Sequence, residues 1–198
     1  MNIIHRVPSI LVPVFDNLDD ILHGNLVAKG FVTCDHYRKG ELIHTQSGYN
    51  TFTTEGMAKI CNVVFGNVAK AAAIVTCVGI FKGNVSPAVG DTAAAKLGAA
   101  GTYQECQDAD YTPATNRPVY TIASTSTAGC TNAASKAEFT MAAAITVYGA
   151  FLAYSSSSTQ AKTAVDGTLM CAKKFTTART TEIADVLGIT YALSLTTS

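Results

Sequence analysis

The chain lacks tryptophan altogether, and only 14% of its 198 residues are charged, against roughly 25% in an ordinary globular domain. Neither sign of charge is in excess: 14 Lys plus Arg balance 14 Asp plus Glu. Without surplus cations the chain is not a general nucleic-acid binder, because phosphate neutralisation needs them. With 48% hydrophobic residues it is not a disordered tail either, since such tails are charge-rich and apolar-poor. Long hydrophobic runs are missing too. The longest apolar-leaning stretch, Ala71–Phe81, is about half of the roughly 20 residues a membrane-spanning helix requires. Thr76 and Gly79 interrupt it, and it reads as a buried strand. The opening residues, Met1 to Pro8, lack the ordered basic, apolar and small-residue regions of a secretory signal.

The cysteines form no CxxC pair. Cys34, Cys61, Cys77, Cys106, Cys130 and Cys171 are widely spaced, which suits reduced thiols in a protein made in a cytoplasm. Cys61, Cys77 and Cys171 lie in apolar segments, where cysteine acts as a small hydrophobe. Cys106 and Cys130 lie in polar, loop-like sequence and are the pair expected to be open to oxidation. His5, His23, His36 and His44 are not grouped with cysteines at zinc-ligand spacing.

What is present is a strand-rich pattern. Residues 1–27 form a distinct opening: Pro8 and Pro13 bracket Ile10–Val12, and Asp16–His23 could make a short helix ending at Gly24. This segment reads either as an arm for a neighbour or as an extension packed on its own domain. Gly30–Tyr37, the turn Arg38-Lys39-Gly40, and Glu41–Gln46 give a hairpin signal. One helix is predicted over about 54–66. Thr53 or Thr54 caps it, Glu55 suits its positive end, and Gly66 stops it. Met57, Ile60, Cys61 and Val64 repeat at helical spacing and predict its buried face.

Beyond the helix, strands are expected over Ala73–Phe81, Pro118–Ser124, Ala137–Ala142, Ala144–Tyr154, Thr168–Phe175 and Ile183–Leu195. In the last, Ile189, Tyr191, Leu193 and Leu195 alternate with small or polar residues, the period of a half-buried strand. Val85–Thr115 and Thr125–Ala134 read as loops. Strands separated by Gly, Ser and Asn turns, with one helix, predict a mainly β fold: an antiparallel β-sandwich of jelly-roll type. The expected organisation is an N-terminal arm, 1–27, and one domain, 28–198.

No pattern points to catalysis, and no catalytic, cofactor-binding or metal-ligating residue is assigned. The chain has no Gly-x-Ser-x-Gly elbow, phosphate-binding glycine loop or His-Glu-x-x-His. Glu105, Asp108 and Asp110 lack the spacing of a calcium loop and read as a solvated acidic patch. His36 and His44 flank the hairpin turn and are placed to approach across its strands. Tyr111, Tyr120, Tyr148 and Tyr154 are scattered without interleaved basic residues, which suits packing better than base stacking.

Several segments, in order, resemble a family of virion accessory proteins of tailed bacteriophages. They are Gly48–Gly56, Val78–Gly83, Pro87–Thr92, Tyr111, Asn116–Pro118, Asn132–Phe139, Val147–Leu152, Gly167–Leu169 and Ala178-Arg179. The resemblance covers roughly 28–198. It implies a capsid cement or decoration subunit with a jelly-roll-like sandwich, commonly trimeric, whose partners are the major capsid protein and itself. It implies no enzyme activity, cofactor, nucleic acid or membrane. Its place would be the outer surface of the phage head, after assembly in the host cytoplasm. A tail fibre, neck or other tail-associated subunit is the alternative, and a carbohydrate-binding module a further one, which Tyr111 or Tyr120 would serve. A nearly chargeless surface favours association. Contacts are expected on the arm, Val7–Ile21, and on loop tips near Gly98–Asp110 and Ser155–Lys162.

Overall fold

In the computed structural model, which describes residues 26–66, 75–112, 115–122, 128–155 and 161–197, the chain enters through β1 (Leu26–Arg38) and turns into β2 (Glu41–Tyr49). The turn residues Lys39 and Gly40 have φ of 53° and 82°, and Arg38 pairs directly with Glu41. Two left-handed residues in a two-residue loop match the twist of the flanking strands. The hairpin expected from sequence is therefore present. The opening segment, 1–25, lies outside the described residues.

After β3 (Thr51–Phe52) comes helix α1 (Thr54–Val64). Thr53 caps it, its Oγ1 accepting from the Gly56 N–H at 3.0 Å. The helix does not bury the expected stripe. Gly56 is buried, and Lys59, Ile60 and Val63 are half-buried, whereas Met57, Cys61 and Val64 are exposed. The docked face is thus rotated by about one residue. Gly56 causes this, because a Cβ there would run into the backbone of Met170. The missing side chain lets the helix lie against the sheet at that point.

The remaining elements are β4 (Thr76–Phe81), a short helix α2 (Ala93–Lys96), β5 (Tyr111–Thr112), β6 (Gly129–Thr131), β7 (Ala137–Met141), β8 (Thr146–Tyr154), β9 (Thr168–Thr180) and β10 (Val186–Thr197). The protein is mainly β. One open sheet has the order β2-β1-β10-β7-β5, with β6 also on β10, and the other β3-β9-β8-β4. All pairings are antiparallel. Four of them are nested: β1 with β10, β3 with β9, β4 with β8, and β5 with β7. The second half of the chain thus retraces the first in reverse.

The main core draws on both sheets. Val32, Cys34, Phe139, Leu187, Ile189 and Tyr191 come from the first, and Val78, Ile80, Ala150, Leu152, Cys171 and Phe175 from the second. Alternate residues along each strand point inward, as a pleated strand requires. The second sheet is also covered on its other face, where Ala93, Leu97 and Tyr103 pack on Cys77, Phe81, Phe151, Ala153, Leu169 and Ala172. A sheet buried on both faces does not alternate in polarity, which explains the continuous apolar reading of β4 and β8. Gly79 lies opposite Phe151, and Phe81 opposite Gly149. Each phenylalanine ring lies over the glycine across from it, where any Cβ would collide with it.

Several expectations fail for identifiable reasons. Pro118–Ser124 does not form a strand. Only Val119 bridges to Cys77, and 123–124 lie outside the described residues. Thr125–Ala134 contains β6, and Val85–Thr115 contains α2 and β5. Ile183 is exposed in the turn before β10, and Leu195 is exposed because β10 outruns the core. Cys61, expected in the core, is exposed on the outer face of α1, and Cys106, expected in an open loop, is fully buried.

Replacing Gly149 with Ala forces a Cβ against the Phe81 ring and the Lys173 carbonyl. We expect a loss of about 1–3 kcal/mol, the usual range for overpacking. It should be read as a lower urea midpoint at unchanged slope.

Candidate interaction surface

The acidic trio does not form a solvated patch. Glu105 is fully buried, and Arg117 grips it through Nε to Oε1 at 2.6 Å and a terminal nitrogen to Oε2 at 2.8 Å. The Gly98 N–H donates to the same carboxylate at 2.8 Å, while Arg117 also donates to the Ala164 carbonyl at 2.8 Å. Burial pushes the Glu105 carboxyl up, and Arg117 opposes that shift. Asp110 is buried too, accepting from Lys82 at 2.8 Å and the Gln107 N–H at 2.7 Å. Only Asp108 is exposed. Loop 98–110 is therefore no uniformly exposed tip. Its cationic partners lie before and after it in sequence, out of reach of a local reading. Of the other expected tip, Ser155 and Lys162 are buried, and 156–160 lie outside the described residues.

The histidine expectation holds. His36 and His44 are direct cross-strand partners on β1 and β2. Their surroundings are structural. His36 is buried and donates Nε2–H to Asp185 at 2.8 Å, while its Nδ1 accepts from Arg179 at 3.3 Å. Asp185 also takes Arg38 at 2.8 Å and the Glu182 N–H at 2.8 Å. These partners, Arg38 foremost, hold the Asp185 carboxyl well below the usual carboxylate range. Burial, and then the positive Arg179, pulls His44 down. Among the described residues no group of three or more His, Cys, Asp or Glu side chains is placed to hold a metal.

All six cysteines are free thiols. Burial pushes Cys34 up to about 12 and Cys77 to about 11, which keeps both protonated and unreactive. Cys130 is half-buried, 3.6 Å from the Tyr120 hydroxyl. The Tyr111 and Tyr120 rings are buried, and neither is presented as a platform for a sugar.

Two outward-facing features, on β2 and α1, are apolar. Strand β2 ends its sheet, with no described strand on its free side. It exposes Leu42, Ile43 and Tyr49, and Tyr49 packs edge-on against the half-exposed Phe31 at 5.4 Å. Glu41–Tyr49 carries no lysine or proline to blunt that edge, and its one irregularity is the register shift that leaves Ile43 unpaired. The exposed face of α1 adds Met57, Val64 and Phe65, the last 76% exposed. Beside it lies an open groove of about 310 Å³ lined by Ala28, Phe52, Ile60, Cys130, Leu193 and Leu195. Meanwhile five of the eleven described acidic residues, Asp35, Asp91, Glu105, Asp110 and Asp185, are buried. Each pairs with a lysine or arginine. A charge-poor sequence thus draws much of its charge inward. No described helix is long and apolar enough to cross a membrane.

Set against protein-family models, curated proteins and solved structures, the chain matches none.

Glu105→Gln leaves Arg117 buried and uncompensated, and should cost about 3–5 kcal/mol in urea unfolding. A second test concerns acid. Asp185 has a folded pKa below its unfolded value, so its stabilisation is complete above the ordinary carboxylate value of about 3.9 and is lost as pH falls below it. Asp185→Asn should lower stability at neutral pH and flatten its decline on acidification, measured as the midpoint of thermal unfolding against pH.

Proposed function

We propose that this chain is a structural virion protein of a tailed bacteriophage, a cement or decoration subunit. It binds the major capsid protein on the outer surface of the head and associates with itself, as a homotrimer. The observation that carries this reading is the surface. Exposed apolar side chains along β2 and α1 sit on a body in which five of the eleven described acidic groups are buried and paired. The ordered resemblance of segments from Gly48 to Arg179 supports the same assignment.

The proposed architecture is a sandwich of jelly-roll type. A core shared by the two sheets supports it, as do the nested pairings of first strand with last. The nesting departs from a regular jelly roll in one respect. Its two middle pairs, β3 with β9 and β4 with β8, share a sheet instead of alternating between sheets.

A cement subunit works by interface area. A standard contact buries about 1,600 Å² in total, and a protein that binds only the assembled shell stabilises it by mass action. Engaging several neighbours at once adds multivalent gain without new chemistry. Internal pressure from packaged DNA strains shell contacts, and the added buried area opposes that strain.

Quantitative mass spectrometry of purified particles tests the assignment. A copy number near that of the major shell protein, or a simple fraction such as one third, is expected. A few to tens of copies would move the chain to the neck, tail or a fibre, and absence from particles would overturn the virion reading.

A further inference from the structure

The segment after 161 carries a buried amine, that of Lys162, which faces Asp108, Glu105 and Asp110. The Lys162 side chain is only 1% exposed, yet the carboxylate nearest its Nζ, Asp108, is 52% exposed. Nζ lies 3.3 Å from Asp108 Oδ1 and donates to the Tyr111 carbonyl at 3.0 Å. It also sits 3.6 Å from the centre of the Tyr111 ring. Burying an amine this deeply beside a half-exposed acid is an expensive arrangement if the two remain ions.

The backbone around the pair is fixed from both sides. The Lys162 N–H donates to the Thr115 carbonyl at 3.0 Å, and the Thr115 N–H donates to Asp108 Oδ1 at 2.7 Å. Gln107 and Arg117 both reach the Lys162 carbonyl, each at 3.4 Å. Thr115 has a φ of 65°, an uncommon conformation for a β-branched residue. Strain of this kind gathers where geometry serves a purpose. Here it aims an N–H at Asp108 Oδ1, which fixes the carboxyl group against the Lys162 amine and holds it below the usual carboxylate range.

We infer that Lys162 and Asp108 are the two partners of an intramolecular isopeptide bond formed after folding. An Nζ–Cγ bond forms and the Cγ–Oδ2 bond breaks. Two of the three ammonium protons leave with that oxygen as water, and the third remains as the amide N–H. Oδ1, held by Thr115, becomes the amide oxygen. The ion pair already contains every atom and proton of the products, so no oxidant, reductant or cofactor is required. Holding both groups in contact supplies the effective concentration that free side chains lack. Burial lowers the affinity of the Lys162 amine for its proton, which raises the share of the nucleophilic form. The exposed side of Asp108 gives the released water a way out, and the reaction replaces a buried charge by a neutral amide.

Intact-mass measurement of the folded full-length chain decides the matter. The expected mass is one water below that of the sequence, with fragment spectra joining the peptides that contain Asp108 and Lys162. Asp108→Ala removes the carboxyl and should show its full sequence mass, with a lower urea midpoint because the Lys162 amine stays buried without its nearest carboxylate. Lys162→Arg should also show its full sequence mass. Full sequence mass in the unaltered chain would overturn the inference. So would a water loss that fragmentation places elsewhere, for instance at Asp166-Gly167, where a succinimide would give the same mass change.

Discussion

The pairing of β1 with β10 is the constraint on which the rest of the fold depends. It runs from Leu26 opposite Thr197 to Tyr37 opposite Val186, and so joins the two ends of the described chain. Its register decides which side chains enter the core. Val32 and Cys34 face inward from β1, and Leu187, Ile189 and Tyr191 from β10. A slip of one residue would turn the inward set of the slipped strand outward. The hydrophobic pattern resists that slip, and so does a polar latch at one end. Asp185, just before β10, accepts from His36 and Arg38 on β1, and these bonds fit only one register. Because the pairing closes nearly the whole chain, it brings a large loop-closure entropy and belongs to the slow-folding, non-local topologies.

Given that frame, the second sheet faces a different problem, since both of its faces are covered. One meets the first sheet and the other meets the excursion between β4 and β5. Ordinary alternation would leave polar side chains trapped there. The sequence instead uses apolar and small residues throughout β4 and β8, with Gly79 and Gly149 making room for Phe151 and Phe81. The excursion has little regular structure to hold it in place. Its backbone is tied down by charge: Glu105 holds the Gly98 N–H and Arg117, while Asp110 holds Lys82 and the Gln107 N–H. These pairs add specificity to a loop that short helices and turns alone would not place. Their stabilising value rests on complete hydrogen bonding, because a buried ion pair with missing partners is a liability.

This division explains what the sequence discloses. The β1–β2 turn is legible because Lys39-Gly40 carries its own backbone preference, and the Thr53 cap because it acts three residues away. The apolar run of β4 is legible because double burial leaves no polar residues to confuse it. The buried face of α1 is not. Its periodic stripe is real, but Gly56, invisible to any hydrophobicity count, selects the neighbouring face for close approach to Met170. The acidic trio misleads for the same reason. Local composition makes Glu105, Asp108 and Asp110 a polar loop, whereas their cations, Arg117, Lys82 and Lys162, come from three separate segments. Non-local partners leave no periodic trace.

The same non-local pairing shapes the surface. A sequence with few charges would ordinarily keep them outside, where hydration is cheapest and solubility benefits. Here several are used inside to hold loops and register, and among the described residues those left exposed, such as Lys39, Glu41 and Glu138, share the outer face with hydroxyls, alanines and isolated large apolar groups. Thr33, Thr45 and Ser47 lie near Ile43 and Tyr49 on the outer part of the first sheet, a mixture with little desolvation penalty on contact with another protein. Such a surface gains little from staying free in water and meets no strong like-charge repulsion when it associates. The internal salt bridges and the proposed assembly role draw on one allocation of charge: each acidic group used to order the interior is one fewer on the exterior, where the proposed contacts would form.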